Sequence, residues 1–358
     1  MWALRPAGFA LLAVLSPAVA VHAADPGVEP ATQTTWRDLF RSKDITLYLE
    51  NDKFFAGTDR HYTNGFKLSF LGDTKLNESP DFVQAVAKYI PTLSPQAALE
   101  QHYRVGVALG QNIYTPTDTE TAAPIPTDRP YAAWLYGALM FQAENRAHTL
   151  LRVVEVEVGI VGPSALGEQV QNGWHSVIHV PHAQGWSNQL HNEPGVVVSW
   201  ERRYLVKRMT LDPSGLGAEM FALGGLSLGN VDTSARLGLS ARLGWKLPHD
   251  FGPDLIRAAG GDLAPVYRSS FYAFGSVAGR AVARDIFLDG NTWRSSASIE
   301  KKPIVGDFNA GLVARFPCRH LGGLKGLQLT YSENYRTKEF YGQLQRDVFG
   351  SISISFLF

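Results

Sequence analysis

The carboxyl-terminal segment 350–358, GSISISFLF, alternates between small polar and large apolar side chains. Successive side chains of a β-strand point to opposite faces, so this alternation gives the strand one apolar and one polar face. The apolar face carries Ile352, Ile354, Phe356 and Phe358, and the other carries Ser351, Ser353 and Ser355. Such a strand with a terminal aromatic residue is typical of the strand that closes an outer-membrane β-barrel, where lipid lies outside and polar groups lie inside.

The same two-residue period recurs along the chain. It marks segments 44–50, 66–72, 102–112, 131–144, 152–162, 195–204, 219–230, 235–247, 270–287, 304–316 and 327–335. With the last strand the count is about twelve, and a closed bacterial barrel requires an even number. The sequence therefore predicts an all-β fold, a transmembrane antiparallel barrel of about twelve strands with a short helix in an external loop.

Two features of these segments favour a barrel over a β-sandwich. The faces opposite the apolar stripes often carry Gly, Ser, Arg and Glu, which suits a polar lumen. Aromatic residues near strand ends are predicted to form girdles at the membrane interfaces. They are Tyr48, Phe66, Tyr103, Trp134, Tyr136, Trp200, Tyr204 and Trp245.

The amino-acid composition argues against several classes of protein. The 358 residues carry 33 basic and 33 acidic side chains, a balance that argues against a nucleic-acid binder. The chain has one cysteine, Cys318, so no intrachain disulfide can form, and its neighbours Phe316, Pro317 and Arg319 indicate a strand end rather than a nucleophile. Past the amino terminus, no apolar run is long enough for a transmembrane helix.

The amino terminus has the pattern of a secretory signal peptide. Arg5 precedes an apolar run over 7–20, and Val21-His22-Ala23 offers a processing site. We predict a signal peptide over residues 1–23 and a single barrel domain over 24–358. The alternative is an uncleaved membrane anchor.

Segment 163–194 breaks the alternation. Ser164 could cap a helix, in which Val170, Trp174 and Val177 fall at helical spacing. Gln171 and His175 are four residues apart and share a helix face. Because the loop carries two Trp and three Val, its apolar side chains are predicted to pack on the barrel mouth.

The hairpin 50–65, ENDKFFAGTDRHYTNG, holds more polar groups than a turn needs. If the mature amino terminus is periplasmic, the hairpin and the 163–194 loop lie at one external end. Asp52 and Thr63 share the polar face of their strands, so they could meet His175 inside the wall. A carboxylate can hold a hard cation such as calcium and a histidine can take a proton from water, which together suit metal-assisted ester hydrolysis. Unrelated solvated loop residues are the alternative.

Other polar groups give weaker patterns. His179, His182 and His191 match no compact metal motif, although a transition-metal site is conceivable. The chain has no Gly-x-Ser-x-Gly elbow for a serine hydrolase. Arg129 could pair with Asp128 at a strand start or bind a lipid phosphate.

Several motifs, in order, carry a family resemblance: ENDKFFAGTDRHYTNGFKLSF, GQNIYTPTD, TDRPYAAW, VGPSALGEQVQNGWH and GWSNQLHNEP. Together they resemble the outer-membrane lipid A 3′-O-deacylase family over essentially the whole mature chain. The resemblance implies a twelve-stranded barrel in the outer membrane of a Gram-negative bacterium, with its active site between the wall and a loop helix and facing the external leaflet. It implies calcium-dependent removal of the 3′ acyloxyacyl group from lipid A of lipopolysaccharide, in contact with outer-membrane lipid. It implies no oligomeric state, for which a monomer is the default.

The resemblance also implies residue roles. Asn51 and Asp52 match the family's Asn-Asp pair, with Asp52 the calcium ligand. Thr63 and the backbone towards Gly65 match the segment that forms the oxyanion hole. Gln171 and His175 match the loop-helix pair, with His175 the general base.

Two departures bear on the substrate. The family's Lys-Arg pair after the Tyr-x-Pro motif is missing from TPTDTETAAPIPTDRP, and the Glu and Tyr that follow the histidine are missing from SVIHVPHAQGW. The alternatives are therefore an esterase of the same mechanism acting on phospholipid or another acylated glycolipid, and a non-enzymatic barrel that is a pore or a binding protein.

Overall fold

The computed structural model describes residues 44–52, 60–74, 101–253, 266, 268–321 and 323–358. The predicted signal peptide lies outside these residues and stays a prediction. Within the described ranges, no helix is long and apolar enough to cross a membrane.

Twelve strands within the described residues form one closed antiparallel barrel, in which β12 returns to pair with β1. This confirms the predicted fold class. The strands are β1 (Asp44–Asn51), β2 (His61–Thr74), β3 (Gln101–Thr115), β4 (Ala132–Asn145), β5 (Leu150–Val161), β6 (Glu193–Thr210), β7 (Leu216–Gly229), β8 (Asp232–Trp245), β9 (Ser270–Asp285), β10 (Ile304–Leu321), β11 (Leu324–Arg336) and β12 (Asp347–Leu357). In the part of the chain that the structure describes, two α-helices accompany them, α1 (Gly167–Ile178) and α2 (Ile286–Asp289).

The alternation has the predicted orientation. On β12 the three serines are buried, while Ile352 and Phe356 on the other face remain 36% and 37% exposed. The hydroxyl of Thr46 on β1 donates to Ser355 across the closing seam at 3.0 Å. An exposed apolar belt surrounds the wall, and it includes Leu109, Val158, Val196, Val198, Leu226, Leu228, Leu237, Leu239, Val277 and Leu312.

The predicted aromatic girdle is only partly correct. Tyr204 and Trp245 are about half exposed on the outside, whereas Tyr48, Tyr103, Trp134 and Tyr136 are buried. Trp134 and Tyr136 point into the lumen and stack with ring centroids 5.6 Å apart.

Two glycines make room for this lumen stack. A Cβ at Gly110 would lie 2.4 Å from the Tyr136 ring, and one at Gly195 would lie 2.5 Å from the Trp134 ring. Aromatic residues near a strand end are therefore not sufficient to identify a girdle, because strand parity decides which side of the wall each ring occupies.

Buried ion pairs cross the lumen near both ends. We call the end with the β1–β2, β3–β4 and β5–β6 connections the upper rim, and the opposite end the lower rim. Below the upper rim, Glu339 accepts from Arg129 and Arg280 at 3.2 Å each. Near the lower rim, the buried Asp250 pairs with Arg242 and, at 3.0 Å, with Arg315.

Candidate active site

Four of the predicted site residues lie at the upper ends of β1 and β2. Asn51 ends β1 and is in register with Asn64, and Gly65 is in register with Glu50. Asp52 follows directly and is 2% exposed. The backbone N–H of Arg60 donates to the Asp52 carboxylate at 2.6 Å, which ties the two ends of the hairpin connection together.

A β-bulge sets Thr63 apart from its neighbours. Tyr62 is in register with Tyr114 and Asn64 with Ile113, so Thr63 is the extra residue of β2. A bulge takes one residue out of the regular ladder and re-aims its side chain, and bulges are common beside active sites. The Thr63 hydroxyl is 2.7 Å from the hydroxyl of Thr115 on β3.

His61 fixes the backbone just before this bulge. It adopts a left-handed conformation with φ 62°, which is uncommon for a residue other than glycine. Its buried ring contacts the carboxylate of Asp347, and its other nitrogen is 3.1 Å from the Thr117 hydroxyl and 3.5 Å from Asp128.

The carboxyl of Asp128 belongs to the same cluster. Burial alone raises the pKa of Asp128, but hydrogen bonds from His61 and from the backbone N–H of Thr117 outweigh it and lower the pKa to about 2. The segment between Arg60 and Thr63 is therefore held from both sides by a charged cluster at the upper rim.

The 163–194 loop packs on the outside of the wall. Along β3, Asn112 and Tyr114 face the lumen, so Gln111, Ile113 and Thr115 point outward. The Gln111 side chain donates to the Ala165 carbonyl at 2.6 Å. A buried cluster then joins the strands to the loop, and it consists of Ile113, Tyr131, Ala133, Ala165, Ala183 and Trp186.

Helix α1 lies close to this wall. Its cap is Leu166 rather than the predicted Ser164, which belongs to a 3-10 turn over Pro163–Ala165. Gly167 opens the helix, and a Cβ there would lie 2.6 Å from Ala133 on β4. The helix buries Gly167, Gln171 and His175, one residue per turn on one face.

Two hydrogen bonds orient the predicted catalytic pair. Trp186 donates its indole N–H to the side-chain amide oxygen of Gln171 at 2.8 Å. His175 places Nδ1 2.6 Å from the carbonyl oxygen of Pro181. Because a carbonyl only accepts, Nδ1 carries the proton and the lone pair of the neutral ring is on Nε2. The His175 ring is thereby held in one tautomer and one orientation, buried against the wall.

The predicted packing of the apolar loop residues is wrong for three of them. Val170, Trp174 and Val177 are 42%, 51% and 65% exposed, while Trp186 is the tryptophan that packs. Helical spacing placed the three on one face correctly, but a different face, with Gln171 and His175, meets the barrel.

The predicted site residues thus form two groups, and strand β3 lies between them and contacts both. Asn51, Asp52, Thr63 and Gly65 are on the hairpin, and Gln171 and His175 are on α1. Thr115 contacts the hairpin group, and outward residues of the same strand contact the loop group. The loop group lies outside the wall. It does not lie inside, as the shared polar face of Asp52 and Thr63 had suggested.

Arg129 does not join either group. Its side chain is 1% exposed, pairs with Glu339 in the lumen, and stacks over the Tyr114 ring at 4.8 Å. Asp128 pairs with His61 and accepts the backbone N–H of Arg129. A lipid phosphate outside the wall has no access to this guanidinium, so the predicted phosphate contact is not supported.

Within the described ranges, no group of three or more His, Cys, Asp or Glu side chains could hold a metal ion. His182 contacts Ser176 at 2.8 Å, and His179 is the exposed C-cap of α1, so the transition-metal alternative gains no support. Asp52, Asn51 and Thr63 offer hard oxygen donors, which are the kind that calcium takes. Cys318 is a free, half-buried thiol near the end of β10.

Sequence reasoning missed four contributors: Thr115, Pro181, Trp186 and Asp347. Trp186 lay in a motif that carried the resemblance, but its hydrogen bond to Gln171 depends on a turn that no local pattern specifies. Pro181 acts only through its carbonyl oxygen, for which side-chain identity gives no signal.

Comparison with known proteins agrees with this architecture. The family model described as "Outer membrane protein LpxR" matches residues 8–358 of the chain. The fold is similar to the solved structure of LpxR from Salmonella typhimurium, with a TM-score of 0.68 and 18% identity over 88% of this chain and 100% of that one. The beta domain of the Bordetella autotransporter Brka is more distant, with a TM-score of 0.42 and 11% identity over 88% and 97%. No curated protein matches the chain.

Proposed function

This chain belongs to the LpxR family of outer-membrane proteins, and from that premise we propose that it is a calcium-dependent hydrolase that removes the 3′-linked acyloxyacyl group from lipid A. It is a barrel of the Gram-negative outer membrane. The upper rim, with the hairpin and α1, is proposed to face the external leaflet, where lipid A resides.

The observation that carries the proposal is the setting of His175. Its Nδ1 proton is held by the Pro181 carbonyl, so Nε2 is the basic nitrogen, and the ring is buried where α1 meets the wall. A general base needs this tautomer and a fixed orientation, because it must take a proton from water along a defined direction. Gln171, one turn earlier on the same face, is held by Trp186 and can orient the water or the ester.

The proposed reaction is a hydrolysis in two steps. Nε2 of His175 takes a proton from water as the water oxygen attacks the ester carbonyl carbon. The tetrahedral intermediate then collapses, the bond to the sugar 3′ oxygen breaks, and that oxygen takes the proton from His175. The products are the free acyloxyacyl acid and lipid A with a 3′ hydroxyl.

The oxyanion is proposed to be stabilised at the Thr63 bulge and the backbone towards Gly65. A bulged residue is released from the regular ladder, so its backbone can face a ligand. Calcium is proposed to bind at Asp52, with Asn51 and Thr63 as neighbouring oxygen donors. When bound it would polarise the ester carbonyl and offset negative charge on its oxygen.

An esterase acting on phospholipid or another acylated glycolipid is the second candidate. Two observations favour it: the segment 115–130 lacks the Lys-Arg pair, and Arg129 turns into the lumen. Phosphate recognition outside the wall then depends on other groups. A pore is disfavoured by the buried ion pairs that cross the lumen at Glu339 and at Asp250.

The test is mass spectrometry of lipid A incubated with the purified protein in detergent, with calcium or with chelator. We expect loss of one 3′ acyloxyacyl group only with calcium, and no loss with His175→Ala. The matched control is His182→Ala, since His182 is an exposed histidine of the same loop. Phospholipid cleavage with intact lipid A would select the second candidate. Activity that persists in His175→Ala or in excess chelator would refute the mechanism.

A further inference from the structure

Helix α1 has three chemically distinct sectors. Residues of an α-helix follow one another at about 100° around the axis. The buried face with Gly167, Gln171 and His175 forms the first sector, which meets the wall. The second is an apolar stripe of Leu166, Val170, Trp174 and Val177, between 42% and 65% exposed. The third is polar and exposed and includes Glu168, Gln169 and Ser176.

The apolar stripe borders the wall-facing sector on one side only. On the helical wheel, Val170, Trp174 and Val177 lie within about 60° of one another, and Gln171 and His175 follow at about 90° and 130° from their centre. The polar sector borders the wall-facing sector on the other side. The cleft between helix and wall therefore has one apolar flank and one polar flank.

An exposed stripe of large apolar side chains needs a partner. Contiguous exposed apolar surface on a protein marks contact with a membrane or another protein. The barrel wall beneath α1 already has an interface with lipid, because Leu109 on β3 and Val158 on β5 are 53% and 57% exposed on its outer face. Gln111, two residues above Leu109 on β3, holds the Ala165 carbonyl just before α1, so the helix rests on the outer face of β3 and β4 beside this belt.

We propose that α1 is an interfacial helix whose stripe of Leu166, Val170, Trp174 and Val177 inserts among the acyl chains of the surrounding leaflet. A helix with a polar face and an apolar stripe that includes a tryptophan is suited to lie in the plane of a membrane surface. The polar sector then faces the headgroups and water. The proposal concerns membrane contact and is independent of the proposed hydrolysis.

Site-directed spin labelling tests it with the full chain. Cys318→Ser removes the native thiol, and single variants Val170→Cys, Trp174→Cys and Val177→Cys then carry a nitroxide. Gln169→Cys is the matched control in the polar sector of the same helix. Each protein is reconstituted into phosphatidylcholine–phosphatidylglycerol vesicles, and accessibility to oxygen and to a water-soluble nickel chelate is measured by power saturation.

Labels at the three stripe positions should show a severalfold higher ratio of oxygen to nickel accessibility than the label at position 169. Equal ratios would place the stripe in water and overturn the proposal. Low accessibility to both reagents would show that the stripe packs against protein, such as a second copy, and would also overturn it. Heat-modifiable gel migration verifies the folded barrel, and with three stripe positions the loss of one variant leaves two to decide.

Discussion

The contact between α1 and the wall leaves no room for a side chain at Gly167. A Cβ there would lie 2.6 Å from both the Ala133 Cβ and the Trp186 Cη2 atom. Carbon atoms pack best at about 3.5–4.0 Å, so Gly167→Ala should force the helix about 1 Å away from the wall. Neither neighbour yields easily, because Ala133 is fixed to β4 and the Trp186 ring is 1% exposed.

That displacement should reduce catalysis without unfolding the barrel. A misplacement of about 1 Å at a reacting group can lower a rate by about 100-fold, equal to about 2.7 kcal/mol in the barrier. The assay is the initial rate of 3′ acyloxyacyl release from lipid A in detergent. Gly173→Ala is the control in the same helix, because a Cβ at that position meets nothing within 4 Å. Its rate should equal that of the wild type.

A second variant separates displacement from other effects. Adding Ala133→Gly to Gly167→Ala removes one of the two clashing carbons and should restore part of the rate. If the rate of Gly167→Ala stays within about threefold of Gly173→Ala, about 0.6 kcal/mol, then packing of the helix on the wall does not position the catalytic groups.

Three further outcomes are expected. Thr63→Val removes one hydroxyl of the buried pair with Thr115 and should lower the free energy of unfolding by about 1–3 kcal/mol, measured by urea titration with gel migration, while Thr63→Ser should not. Because the pKa of Asp128 is lowered to about 2, its ionised carboxylate stabilises the fold at pH values above the ordinary carboxyl pKa. This stabilisation is lost as the pH falls from about 4 to 2, so the difference in the free energy of unfolding between wild type and Asp128→Asn should vanish over that range. Calcium at 100 times its dissociation constant should stabilise the wild type by about 2.7 kcal/mol but leave Asp52→Asn unchanged, and an equal shift in both would place the ion elsewhere.

Strand periodicity alone was enough to predict the barrel. The serines of β12 and the apolar residues between them can satisfy lipid outside and polar groups inside only if the sheet closes. The order of motifs was likewise enough to predict the family. The hairpin residues Asp52 and Thr63 and the loop residues Gln171 and His175 could be named because each lies in a motif that the family resemblance covers.

Only the tertiary structure decided which side of the wall each group occupies. Trp134 and Tyr136 read as girdle residues but stack in the lumen, because their strand parity turns them inward where glycines leave room. Arg129 turns inward for a different reason, since Glu339 from a distant connection supplies its counter-charge there. Neither the glycines that face the two rings nor Glu339 can be recognised as a partner from the residues next to them in the sequence.

The helix shows the physical reason most clearly. In a water-soluble protein the apolar face of a helix is the face that packs, and on that rule Val170, Trp174 and Val177 were expected against the barrel. Beside a membrane the rule does not select a face, because lipid and protein interior are both favourable surroundings for an apolar side chain. Close approach at Gly167 and the hydrogen bonds of Gln171 and His175 instead turn the face that carries these residues to the wall. The sequence determined that α1 would form, and the packing of the wall determined which way it faces.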